Sequence, residues 1–159
     1  MGSGPQVVFN ESTSAVTATK STGLNVGTLR YEGDRVYEYI YNPSVTAAAI
    51  TLGMCDTASS TSGYSLTAST TTGYSICRGL VVDAIISASC YGWLMKRGVA
   101  TFEAGANNSF AVGQGMMLGA LGVMQPATTV SLTGAHNVFG YAISALASGG
   151  SGLGYFNCL

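Results

Sequence analysis

The amino-acid sequence predicts an all-β protein, a small β-barrel or β-sandwich with an extended N-terminal arm, and three observations support this. Glycine occurs 22 times and Ser plus Thr 35 times, and much of the apolar content is Ala, Val, Tyr and Met. Small and β-branched residues mixed with Gly favour strands and tight turns over long helices. Short apolar runs also recur at close spacing with Gly-rich turns between them, as in small barrels and sandwiches. Finally, Tyr37, Tyr39 and Tyr41 alternate with Val36, Glu38 and Ile40, which is strand period. With 159 residues, 47% of them hydrophobic, the chain is sized for one domain with a buried core.

Residues 1–29 are rich in Ser, Thr, Gly and Val, carry Glu11 and Lys20 as their charges, and read as the extended arm, with a weak strand at 6–9. Residues 30–159 read as a single β-rich domain. The Tyr-rich strand sits in 30–42, the densest group of charges, and Asn42-Pro43 closes it. Within that group Glu32, Asp34 and Glu38 neighbour Arg30 and Arg35, so local ion pairs are expected rather than a metal site. The apolar stretch 45–54 fits either a strand or one or two helical turns, because of Ala47-Ala48-Ala49. Residues 56–79 are nearly all Ser, Thr, Gly and Tyr and contain an echo, Thr61-Ser62-Gly63-Tyr64-Ser65 against Thr71-Thr72-Gly73-Tyr74-Ser75. They read as two elements of a meander or as an inserted tip. The strongest apolar strand is expected at 80–88, and one long or two short strands at 91–103. A hairpin follows at 116–124, turning at Gly119-Ala120-Leu121-Gly122. A strand at 138–146, a Gly-rich turn at 148–152 and a last strand at 153–156 complete the domain.

Charge excludes whole classes of function. Six Lys+Arg stand against seven Asp+Glu, and charged residues make up 8% of the chain, against about 25% in ordinary domains. So few cations exclude a basic nucleic-acid binder, and so few charges exclude a charged disordered region. Glu103 is the last charged residue; beyond it only His136 can carry one. A free domain keeps mixed charges over its surface, whereas subunit interfaces are depleted of them. An obligate assembly is therefore expected. The aromatics Tyr37, Tyr39, Tyr41, Tyr91 and Trp93 are the candidate partner-contact residues, since strand aromatics divide between core packing and subunit contact.

No membrane span is expected. Residues 110–125 are short for a span of ~20 residues, 138–156 are interrupted by Ser and Gly, and neither stretch is flanked by the Lys/Arg that sets orientation. The N-terminus lacks the basic-then-apolar pattern of a secretory signal. The four cysteines, Cys55, Cys77, Cys90 and Cys158, form no CxxC pair, so free buried thiols are expected and no zinc site. His136 lies in Thr133-Gly134-Ala135-His136-Asn137 without a G-x-S-x-G elbow. Gly113-Gln114-Gly115 and Gly150-Ser151-Gly152-Leu153-Gly154 complete neither a dinucleotide nor a phosphate loop. No enzyme activity and no cofactor are expected.

Four segments follow a recognisable order: Tyr91-Gly92-Trp93 leading to Gly98-Val99-Ala100, Val112-Gly113-Gln114, Gly122-Val123, and Phe139-Gly140-Tyr141-Ala142. Over roughly residues 88–157 this order resembles the C-terminal half of tailed-bacteriophage capsid decoration, or cement, proteins. The resemblance implies a β-rich domain that forms a homotrimer on the outer capsid surface of a virion and bridges subunits of the major capsid protein. It also implies a role for residues 1–29 as an arm along the shell. The span 56–79 and the Tyr-rich strand have no counterpart in the resemblance. They leave open a virion adhesin or fibre-like module that binds a host receptor or glycan through exposed tyrosines such as Tyr64 or Tyr74.

Overall fold

A computed structural model describes residues 12–21, 23–43, 47–56, 66–67, 77–119, 122–127 and 138–158. The weak strand expected at 6–9, most of 56–79 with Tyr64 and Tyr74, and His136 lie outside the described residues. Among the described residues there are ten strands and no α-helix: β1 (Leu29–Glu32), β2 (Arg35–Asn42), β3 (Gly53–Asp56), β4 (Leu66–Thr67), β5 (Cys77–Leu80), β6 (Cys90–Glu103), β7 (Gly115–Leu118), β8 (Met124–Pro126), β9 (Gly140–Ala142) and β10 (Ser151–Asn157). They form one antiparallel sheet in the order β4-β3-β5-β6-β10-β9-β7-β8, and β2 joins β6 to β1.

The protein is all-β, as its composition predicts, but the sheet does not close into a barrel. Closure needs paired strands all the way round. Here β8 ends the sheet after three residues, one of them Pro126 with no N–H to donate. Its approach to the end of β6 is the isolated parallel bridge Ala104↔Met124.

The spine is β6, a single strand of 14 residues. Met95 pairs with both Tyr37 and Leu80, and Arg97 with both Val36 and Asn157. So β2 runs along one edge of β6, while β5 and β10 meet end to end along the other. Between Val36↔Arg97 and Tyr37↔Met95 the register slips, leaving Lys96 as an extra residue on β6. Because side chains alternate with a period of two, one inserted residue reverses which parity faces inward. Before the bulge the odd residues Trp93 and Met95 enter the main core; after it the even residues Ala100 and Phe102 do. The bulge thus lets a single strand serve one core along its whole length. On the opposite face of β2 and β6, Ile40 and Leu94 pack with Ala48, Met54, Val81 and Ile86 in a second, smaller core.

Lys96 is buried, and its Nζ lies 3.1 Å from Glu38 Oε2 on β2, which is buried as well. Each charge is desolvated by the same packing that hides the bulge, so each depends on the other. The outer hairpin turns at Gly33-Asp34, Gly33 adopting φ +58°, a value glycine reaches without strain.

Three expected elements differ from the observed ones. The run 80–88 is buried at Val81 and Ile86 but is mostly irregular: only Leu80 belongs to β5, and Ile86 exchanges an isolated pair of hydrogen bonds with Ala48. Apolarity sets its burial, while its backbone is satisfied by the loop at 48–52 instead of by a ladder. The strand expected at 138–146 shortens to β9, after which Leu146 bridges to Phe110. The described part of the arm does not reach away from the domain. Thr17 exchanges two hydrogen bonds with Tyr91, Gly27 and Thr28 bond to Tyr39, and Leu24 enters the main core. Edge groups of β2 and β6 that no strand covers are satisfied this way.

Lys96→Met strands the Glu38 carboxylate in the core and is expected to lower stability by about 3–5 kcal/mol in urea unfolding. Adding Glu38→Leu removes the stranded charge and restores most of that loss. Burial, the hydrogen bond with Cys158 and the charge of Cys158 push the Cys77 thiol well above its ordinary value, and burial pushes the Tyr37 phenol up. Above about pH 8.5 the unfolded chain therefore releases protons that the folded chain retains, so stability falls as pH rises. Urea midpoints measured from pH 7 to pH 10 check the sign.

Candidate functional site: an apolar sheet face

The aromatics singled out in the sequence do come together, but inside the protomer. Tyr37 and Tyr39 are each 1% exposed and Trp93 2%. Tyr39 stacks on Tyr91 at 5.8 Å and packs at 5.2 Å against Trp93, while Tyr41 meets Tyr91 at 4.8 Å. The Arg30 guanidinium lies over Trp93 at 5.8 Å, a cation–π contact that caps the ladder. Tyr39 Oη accepts a hydrogen bond from the Ser21 N–H at 3.2 Å. Of the expected partner-contact residues, Tyr37, Tyr39 and Trp93 are thus placed in the main core, where both faces of β2 are covered. Tyr41 and Tyr91 are half-buried and keep some surface.

The surface that remains open lies beyond the bulge. There β6 turns Val99 and Thr101 outward, β10 turns Leu153 and Tyr155 outward, and β9 presents Tyr141. The pairings Thr101↔Leu153, Val99↔Tyr155 and Tyr155↔Tyr141 set these side chains in adjacent rows. Tyr141 and Tyr155 stack with ring centres 5.4 Å apart. Val99 is 40% exposed, Leu153 45% and Tyr141 47%, and exposed Val138 and Ile143 flank the patch. Scattered apolar residues are common on surfaces, but a contiguous row on one sheet face marks a contact surface.

At one side of the face the β1–β2 turn overhangs β6 and β10, enclosing a groove of about 390 Å³ between Glu32, Asp34, Arg35 and the apolar wall of Val99 and Leu153. Arg35 anchors the overhang: Nη2 donates to the Val99 carbonyl at 3.1 Å and Nη1 to Tyr37 Oη at 3.4 Å. The bond to Tyr37 raises the Arg35 pKa further. Gly98 permits this close approach. Its φ is +131°, and a Cβ there would lie 2.8 Å from Arg35 Cγ. Among the described residues, no group of three or more His, Cys, Asp or Glu is gathered for a metal ion.

Sequence reasoning placed Tyr141, Leu153 and Tyr155 in strands without assigning them to the surface. The available signal was their position in the charge-free third of the chain, together with the parity switch at the bulge.

No protein-family model matches the chain, and no curated protein matches it significantly. The antiparallel sheet defines a fold seen among solved structures. The chain is similar to the head fiber gp8.5 N base of bacteriophage phi29, with a TM-score of 0.50 and 14% sequence identity, over 77% of this chain and 95% of that one. At this identity the likeness is one of fold.

Gly98→Ala forces a side chain into a backbone region reserved for glycine and is expected to cost about 1–3 kcal/mol. Val99→Ser, on the open face next to it, is expected to shift stability by no more than about 0.5 kcal/mol. Chemical denaturation of the two variants compares them directly.

Proposed function

We propose that the protein is a structural protein of a phage virion, carried on the outside of the head as a homotrimeric decoration protein that bridges subunits of the major capsid protein. The observation that carries this reading is the fold shared with a phage head fiber base over nearly all of that base. The charge-free stretch after Glu103 and the open face of Val99, Leu153, Tyr141 and Tyr155 agree with it.

The mechanism is additive burial. Each square ångström of apolar face removed from water contributes about 25 cal/mol, and many weak contacts repeated over a symmetric shell sum to firm attachment. The outer edge of β1, which pairs with no second strand among the described residues, is a candidate site for strand addition by a shell subunit. This function requires no catalysis, metal or cofactor, and neither nucleic acid nor membrane as partner.

A second reading has the chain as the base of a head fibre or adhesin, which the name of the phi29 neighbour favours. The two readings share the outward placement on the head and differ in what the module carries.

Light scattering behind a sizing column is expected to give a mass near three times 16.2 kDa. Leu153→Glu is expected to break the trimer, to abolish binding to undecorated heads, or both. Electron microscopy of the rebound heads then separates the readings: a regular lattice of knobs supports decoration, and sparse projections support a fibre base. A monomer that ignores heads would sink both.

A further inference from the structure

We infer that Cys77 and Cys158 form a closable dithiol, a modification site at which exchange with a small-molecule disulfide staples the end of β10 to the start of β5. Their Sγ atoms lie 3.8 Å apart although 81 residues separate them in sequence, and both thiols are free. The pairing Leu80↔Met95 brings β5 to the edge of β6 from one side, and Asn157↔Arg97 brings β10 to the same edge from the other. The Cys158 N–H donates to the Lys96 carbonyl at 2.7 Å, so the two cysteines converge on the bulge. A disulfide needs an S–S distance of about 2.05 Å. Cys158 lies just past the last ladder pair of β10, so rotation of its side chain closes the gap without breaking strand pairing.

Access dictates the order of events. Cys77 is buried and Cys158 is half-buried, so the reagent meets Cys158 first. The Cys158 thiolate attacks one sulfur of oxidised glutathione and expels a glutathione thiolate, leaving a mixed disulfide. Cys77 then loses its proton and attacks Cys158 Sγ, expelling the second glutathione. Two protein thiols are oxidised to one disulfide, and one glutathione disulfide is reduced to two thiols. The chemistry stands on the geometry alone. Its timing rests on the proposed virion role: a protein made in a reducing cytosol and released into an oxidising medium would acquire the staple after release.

The test treats the native chain with oxidised glutathione and follows it by mass spectrometry. The expected product has lost two hydrogen atoms, retains no glutathione, melts at a higher temperature than the reduced chain and reverts with a reducing thiol. Cys55→Ser and Cys90→Ser preserve the product. Cys158→Ser and Cys77→Ser abolish it, and Cys77→Ser stops at glutathione held on Cys158. Cys55 is the rival, since its backbone pairs with Cys77 across β3 and β5. A linkage lost in Cys55→Ser, or a wild-type chain that keeps a stable glutathione adduct, overturns the inference. Closure in a chain that never binds phage heads leaves the dithiol standing and removes only the virion timing.

Discussion

The ion pair between Glu38 and Lys96 sits at the bulge that reverses which side chains of β6 face the main core. Without the extra residue at Lys96, β6 would turn Phe102 to the surface and Val99 and Thr101 into the core. The same residue also lies between Met95, which pairs with Leu80 of β5, and Arg97, which pairs with Asn157 of β10, and it offers its carbonyl to Cys158. A long charged side chain at that site has to be buried, and a carboxylate on the neighbouring strand is what makes its burial tolerable. Inner core, outer face and strand junction therefore depend on one local irregularity.

Strand content was legible because Tyr37, Tyr39 and Tyr41 alternate with Val36, Glu38 and Ile40, and because Gly119-Ala120-Leu121-Gly122 marks the turn of the hairpin expected at 116–124. Apolar runs that end at turn residues also placed strand at 91–103, as one long or two short pieces, and at 153–156; the first is the single strand β6, and the second extends to 151–157 as β10. What period and composition could not convey was parity. A bulge adds no distinctive residue type, since Lys96 reads as a surface lysine until its partner on a strand far away in sequence is known. The burial of Tyr37, Tyr39 and Trp93 was illegible for the same reason: with Glu38 at its centre β2 looks half-exposed, yet that position is neutralised and covered. The run 80–88 shows the complementary failure, because apolarity specifies burial and leaves open whether the backbone is satisfied by a ladder or by a loop.

The outer face has a composition that isolated domains avoid and assembling ones use. Its centre is Val, Leu and Tyr, with charges around it at Glu32, Asp34, Arg35, Arg97 and Glu103. Tyrosine suits such a surface because its ring adds apolar area at low entropic cost while the hydroxyl still bonds water before the contact forms. An apolar centre inside a charged margin matches the usual anatomy of protein contacts, in which the core excludes water and the rim sets orientation.

The strand order also governs when the protein can exist at all. β6 is synthesised before β10, and among the described strands it is β10 that covers the edge carrying Phe102 and Gly98. Contacts between such distant segments form slowly, and until they form, apolar surface stays open to other chains. The outer face is complete only once Leu153 and Tyr155 are laid beside Thr101 and Val99. A nascent chain that has not yet made β10 thus lacks the outer face, and the topology withholds that face until the two distant strands are joined.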